Sequence, residues 1–202
     1  GEDEKKINQD NYFVFRNFVN NVNYIFMAVC DGHGAVGQEI SNYLKENLPI
    51  DLNHALRDAK VDILKDDISS IITDVFIKEN TKLISNEMIN SMLSGSTCVS
   101  TIYTPLKLIT ANVGDSRIIL GKFFPNLQEW KSIDLTRDHK PSLPDEEKRI
   151  SEKGGLYVII RFFRAGLGVV ARVNDAAVGL AAAVGHVFRR FQQGDLSGVL
   201  AQ

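Results

Sequence analysis

The sequence predicts an α+β layered fold in which strands come first, helices follow, and a meander of strands closes the described pattern. Three observations carry this. Residues 11–30 hold two apolar segments of strand type. Residues 36–92 space their apolar side chains at helical intervals. Residues 97–135 return to alternating, β-branched segments separated by turn signals. Such segregation argues against a doubly wound parallel sheet, which alternates strand and helix.

Taken in order, Asn11 to Phe18 alternates and carries aromatics, which predicts a strand. Asn23 to Cys30 is almost continuously apolar, as in a strand covered on both faces. Val36 to Leu48 places Val36, Ile40, Tyr43, Leu44 and Leu48 on one helical side. Two further helices are expected over Leu52 to Leu64 and Asp67 to Met92. Thr97 to Tyr103, Leu106 to Val113, Ser116 to Phe123 and Glu129 to Leu135 read as strands. Gly114-Asp115 between the second and third of these is a hairpin signal. Pro141 to Lys153 reads as a helix with Pro141 in its first turn, stopped by Gly154-Gly155.

The 202 residues suffice for one domain with a core, and a formal charge of -2 speaks against general affinity for nucleic acid or anionic membranes. Cys30 and Cys98 form no metal-ligand spacing and lie in apolar runs, so buried free thiols in a reducing compartment are expected. Residues 1–10 are polar and charged, unlike a secretory leader, which favours cytosol or nucleus. A monomer is expected. Composition shifts after residue 155: residues 156–202 contain neither Lys nor Glu and are rich in Ala, Val and Gly. The domain reading is therefore a unit over 1–155 and an atypical tail over 156–202, either foreign or covering the same core. Within the tail, Ala176 to Phe188 is too short for a membrane span.

Asp31-Gly32-His33-Gly34 directly follows the apolar strand ending at Cys30. An ionised Asp there is costly unless paired, and a divalent cation is a suitable partner because hard cations take carboxylate oxygens. The Gly32 carbonyl is a possible further ligand, and His33 a proton donor or acceptor. The same residues also describe an ordinary turn. Asn8-Gln9-Asp10 offers a second acid or a solvated loop. Asp138-His139-Lys140-Pro141 offers ligands or loop residues. Gly114-Asp115-Ser116-Arg117 reads mainly as a hairpin turn, and Ser94-Gly95-Ser96-Thr97 as a small-residue loop.

In this order, with Ala28-Val29-Cys30 before Asp31, Ala111-Asn112-Val113 before Gly114, and Glu146 to Ile150 before Gly154-Gly155, these motifs resemble the type 2C (PPM) family of metal-dependent serine/threonine protein phosphatases. The resemblance covers residues 7–155. It implies a four-layer α-β-β-α sandwich of two antiparallel sheets flanked by helices. It implies two magnesium or manganese ions and phosphoprotein substrates carrying phosphoserine or phosphothreonine. Asp31 would bridge both metals, the Gly32 carbonyl would bind one, and Gln9-Asp10 would occupy the supporting acidic pair. His33 would be the general acid and Asp138 the ligand of a weaker third metal. Gly114 to Arg117 would be structural. Hydrolysis would use a water activated by the metals, with no cysteine nucleophile.

The chain departs from the family pattern beyond Gly155. Arg172-Val173-Asn174 followed by Leu180-Ala181 only echoes the next family segment, and Gly194-Asp195-Leu196 lacks a second Asp. The only Trp, Trp130, lies outside the expected motif. The second sheet and at least two metal-binding carboxylates are thus expected to be incomplete. Lys5-Lys6 stand where the family places a phosphate-binding Arg. The alternative reading is a truncated or inactive phosphatase-like protein that acts by binding partners.

Overall fold

The computed structural model describes residues 7–161 and 167–173, with side chains described over 7–155. Lys5-Lys6, Ala176 to Phe188 and the 180–196 echoes lie outside the described residues. The elements are β1 Asn11–Arg16, β2 Ile25–Cys30, β3 Gly32–His33, α1 Gly37–Asp58, α2 Ser69–Ile84, β4 Gly95–Ser96, β5 Cys98–Tyr103 and β6 Leu108–Val113. They continue with β7 Ile119–Phe124, β8 Glu129–Asp134, α3 Pro144–Glu152, β9 Gly155–Arg161 and β10 Leu167–Val173.

The fold is α+β, as the sequence predicts. A four-stranded sheet has the order β1-β2-β5-β6, with antiparallel neighbours throughout. α1 packs on β1 and β2, and α2 packs against α1. Alternation along each strand sends Phe13, Phe26, Ala28, Ile102, Ile109 and Ala111 into a core shared with α1 and α2. On the opposite face Tyr12, Val14 and Val29 are exposed. Hairpins β7–β8 and β9–β10 are separate two-stranded sheets, and α3 packs on β9.

Four local expectations are corrected. The helices expected over 36–48 and 52–64 are one helix that runs through Pro49. Pro49 costs about 3 kcal/mol in a helix interior. Leu44, Leu48, Leu52 and Leu56 form one unbroken stripe with no exposure. Each such side chain gains about 1.5–3 kcal/mol on burial, so the stripe outweighs the proline. The second helix stops at Ile84 instead of Met92. Asn86 and Asn90 accept hydrogen bonds from the backbone N–H groups of Met88 and Met92, which diverts the chain into turns. Gly114-Asp115 does not close a hairpin: β6 pairs with β5 and β7 with β8, so the segment carries the chain between sheets. The last helix begins at Pro144, three residues after Pro141, and Gly154 ends it at φ 75°.

Ile72 on α2 is 2% exposed within the α1–α2 core. Ile72→Val is expected to lower stability by about 1 kcal/mol in urea unfolding, through one lost methyl and the void it leaves.

Candidate active site

The site begins where the central ladder changes character. β2 and β5 pair in a register that β3 and β4 continue, with Gly32 opposite Ser96 and His33 opposite Gly95. At the rung between, Thr97 N–H donates to the Asp31 carbonyl at 2.9 Å. Asp31 N–H donates instead to Thr97 Oγ1 at 3.0 Å. Both main-chain groups of Asp31 are thus satisfied. Its carboxylate stands at the end of an apolar strand.

Asp10 is fixed from its two neighbours. Buried Ser41, in the first turns of α1, donates to the Gln9 carbonyl at 2.6 Å and accepts from Asn11 Nδ2 at 3.0 Å. Gln9 Nε2 donates to the Gly34 carbonyl at 2.8 Å, which ties this segment to the turn after His33. Gly32 is needed on steric grounds. A Cβ there would lie 2.3 Å from the Gly37 carbonyl oxygen and 2.5 Å from that of Gln9, both backbone atoms.

The third strand end comes from an unexpected direction. Thr97 Oγ1 and Ser116 Oγ share a hydrogen bond of 2.7 Å, and Gly114, at φ 102°, lies against the Thr97 side chain. This contact brings Asp115 toward Asp31. The Asp31 carboxyl is raised above the usual carboxylate range, first by burial, then by repulsion from and hydrogen bonding with Asp10, and by repulsion from Asp115. His33 acts weakly in the other direction. Asp10 and Asp31, both named from the sequence, therefore come together, with His33 two residues beyond on β3. Asp115, read from the sequence as part of a turn, joins them. Its sequence signal was the same as that of Asp31: a carboxylate just past the end of an apolar strand. Ser41 carried no signal, because a serine in an amphipathic helix has none.

Asp138 has a different engagement. Arg117 grips it with two parallel hydrogen bonds, Nε to Oδ1 at 2.8 Å and Nη2 to Oδ2 at 2.9 Å. Lys140 adds an ion pair at 2.9 Å. Arg117 also reaches Asp134 at 3.1 Å. These cations hold the Asp138 carboxyl down at about 2, the Arg117 hydrogen bond being the largest cause. Because the folded value is depressed, the stabilisation is complete above about pH 4 and is lost as pH falls toward 2. Asp138→Asn is expected to cost about 2 kcal/mol at pH 7 and nearly nothing at pH 2, read from urea melts at both values.

Among the described residues, Asp10, Asp31 and Asp115 take part in no ion pair. Nor do three His, Cys, Asp or Glu side chains among them converge tightly enough to form a metal cage. The donors that do gather, carboxylates with a backbone carbonyl beside them, are hard oxygens of the type that suits magnesium or manganese. They fit such a cation in kind and fall short in number. Neither cysteine presents a ready thiolate to the candidate site. Both are free and buried, and the Cys30 contact together with burial holds the Cys98 thiol well above its ordinary range.

Comparison with known proteins bears on the family and the fold. The family model for protein phosphatase 2C matches residues 4–181. "Probable protein phosphatase 2C 65" of Arabidopsis thaliana is 32% identical over 171 residues, covering 77% of this chain and 44% of that protein. "Probable protein phosphatase 2C 11" of the same plant is 32% identical over 168 residues, covering 83% and 41%. Among solved structures, a serine-threonine phosphatase 2C from Toxoplasma gondii superposes with a TM-score of 0.63 at 23% identity, covering 76% of this chain and 52% of that one. A C. elegans sex-determining protein superposes at 0.60 and 22% identity, covering 82% and 39%. The chain spans less than half the length of these curated relatives, and the structural likeness speaks for the fold. With motifs, fold and family model in agreement over most of the sequence, the chain belongs to the protein phosphatase 2C family.

Proposed function

We propose that this chain carries part of the active site for metal-dependent hydrolysis of phosphoserine and phosphothreonine in proteins. The observation that supports this most is the gathering of Asp10, Asp31 and Asp115 with no cation paired to any of them among the described residues. A carboxylate whose proton affinity is raised by neighbouring carboxylates, as that of Asp31 is, is a place where a divalent cation gains most, since it relieves the repulsion as it binds. Asp10, Asp31 and the Gly32 carbonyl would hold magnesium or manganese, with two ions at full occupancy and Asp115 adding charge. When bound, such ions lower the pKa of a water and neutralise charge on a phosphoryl group.

The remaining steps belong to the protein. The Ser41 and Gln9 hydrogen bonds hold Asp10 and the Gly34 turn in one frame, so that the carboxylates do not splay when charged. His33, exposed on β3, would give an imidazole proton to the serine or threonine oxygen that leaves phosphorus. A third cation at Asp138 would have to displace Arg117 and Lys140, so we assign that carboxylate an anchoring role for the Gly114–Arg117 crossover.

The test is phosphate release from a phosphothreonine peptide with added manganese. Turnover that Asp31→Ala and His33→Ala abolish is the expected result. Turnover no higher than in those variants overturns the assignment for this chain. A second reading, an inactive phosphatase-like protein that binds partners, is favoured by the short supply of converging ligands. Calorimetric titration separates the two: saturable manganese binding at two sites goes with catalysis, and no heat of binding goes with the second reading.

A further inference from the structure

We propose that Cys30 and Cys98 are a reversible disulfide-forming pair that staples the two central strands directly beneath Asp31. The inference is independent of catalysis and rests on strand register. Val29 is opposite Val99 on one side, and Gly32 is opposite Ser96 on the other. Continuity of that register places Cys30, the last residue of β2, opposite Cys98, the first of β5. Each is also covered on its outer side, Cys30 by Asn11 on β1 and Cys98 by Val113 on β6. Both side chains belong to the core face, both have no exposure, and the two thiols interact with each other.

The rung type favours a bridge. The hydrogen bond from Thr97 N–H to the Asp31 carbonyl marks the adjacent pair as a hydrogen-bonded rung. Cys30 and Cys98 therefore occupy the non-bonded rung, where facing Cα atoms approach to about 4.5 Å and side chains come closest. That separation lies inside the range disulfides accept. Rotation about the two Cα–Cβ bonds would bring the sulfurs together.

The reaction needs a two-electron oxidant, and hydrogen peroxide supplies it. One cysteine sulfur attacks a peroxide oxygen as the O–O bond breaks, which yields a sulfenic acid and one water. The second sulfur then displaces the sulfenic hydroxyl, forming the S–S bond and a second water. Two thiol protons leave with the two oxygens, and two electrons pass from the sulfurs to the peroxide. Burial makes the closed ladder slow to react. Local opening beside the pair, where β3 and β4 are strands of only two residues each, would expose it. The bridge would close a ring that contains α1, α2 and the Asp31–Thr97 rung, so it restricts opening at the candidate site.

The test exposes the whole chain to hydrogen peroxide at neutral pH, then alkylates it in denaturant and weighs it. The expected product has lost two hydrogens, takes no alkylating reagent, and yields a cross-linked peptide containing Cys30 and Cys98. Dithiothreitol restores both thiols, the oxidised chain melts several degrees higher, and urea below the unfolding transition speeds the oxidation. Cys98→Ser is expected to leave Cys30 as a sulfenic or sulfinic acid. Two thiols that stay fully alkylatable in the wild-type chain overturn the proposal. So does separate oxidation of each to sulfinic acid, or disulfides only between molecules.

Discussion

Asp31→Asn is expected to reduce manganese affinity by at least about 100-fold and to abolish phosphate release, while leaving the metal-free chain slightly more stable. Loss of a residue that only supports a metal ligand costs up to about 100-fold, and loss of a direct ligand, the role proposed for Asp31, costs no less. The stability effect runs the other way for an electrostatic reason. The folded state raises the Asp31 pKa through burial and through Asp10 and Asp115. A raised carboxylate binds more protons folded than unfolded. Stability contributed by this group therefore falls as pH rises from the ordinary aspartate value to the raised one, and the penalty is full above it. Asparagine keeps the shape and removes the penalty. Because the Asp31 carboxyl is only partly desolvated and the residue still meets solvent, the gain is a few tenths of a kcal/mol after solvent screening. Paired melts of the metal-free chains, with manganese titrations of both, give the two signs. A metal-free Asp31→Asn chain less stable than wild type at pH 7 would refute the stored repulsion, whatever happened to activity.

Gly32→Ala is expected to damage both fold and site. The added carbon would meet backbone atoms of Gly37 at 2.3 and 2.7 Å and of Gln9 at 2.5 Å. Backbone cannot rotate away as a side-chain tip does, so α1 or the Gln9 segment has to shift. Overpacking of this kind costs about 1–3 kcal/mol and occasionally more. Here two segments are blocked at once, and about 3 kcal/mol is the expected loss in a urea melt. The same shift pulls Asp10 away from Asp31, since Gln9 is the residue displaced and Asp10 follows it. Manganese binding should then weaken more than the stability loss alone accounts for. An alanine variant with unchanged melting and unchanged metal affinity would show that this contact can relax freely.

Much of the fold was legible because its signals are local. The β1, β2, β5 and β6 segments carry alternating or largely apolar patterns, and the strands form where those patterns lie. Helix ends were less legible. The first helix was expected in two pieces, yet a continuous stripe of buried leucines carries it through Pro49. That outcome depends on what covers the stripe, and the chain pattern alone does not say. The hairpin expected at Gly114-Asp115 failed for a similar reason. A Gly-Asp dipeptide marks a reversal, but the partner of the next strand is settled by competition among distant strands.

For the site, the sequence by itself supplied the candidates, Asp10, Asp31, Gly32, His33 and Asp138, through short motifs at the ends of apolar strands or in the loop before the last helix. It also determined family membership, through motifs kept in order. Only the tertiary structure decided the company these residues keep. It set Asp115 beside Asp31 through the Thr97–Ser116 contact, and it committed Asp138 to Arg117 and Lys140. Asp31-Gly32-His33 names its own chemistry because a buried strand end constrains what can follow. Whether a distant carboxylate repels it, or a guanidinium neutralises another, is a matter of distances that the register of the ladder and the crossover between sheets create.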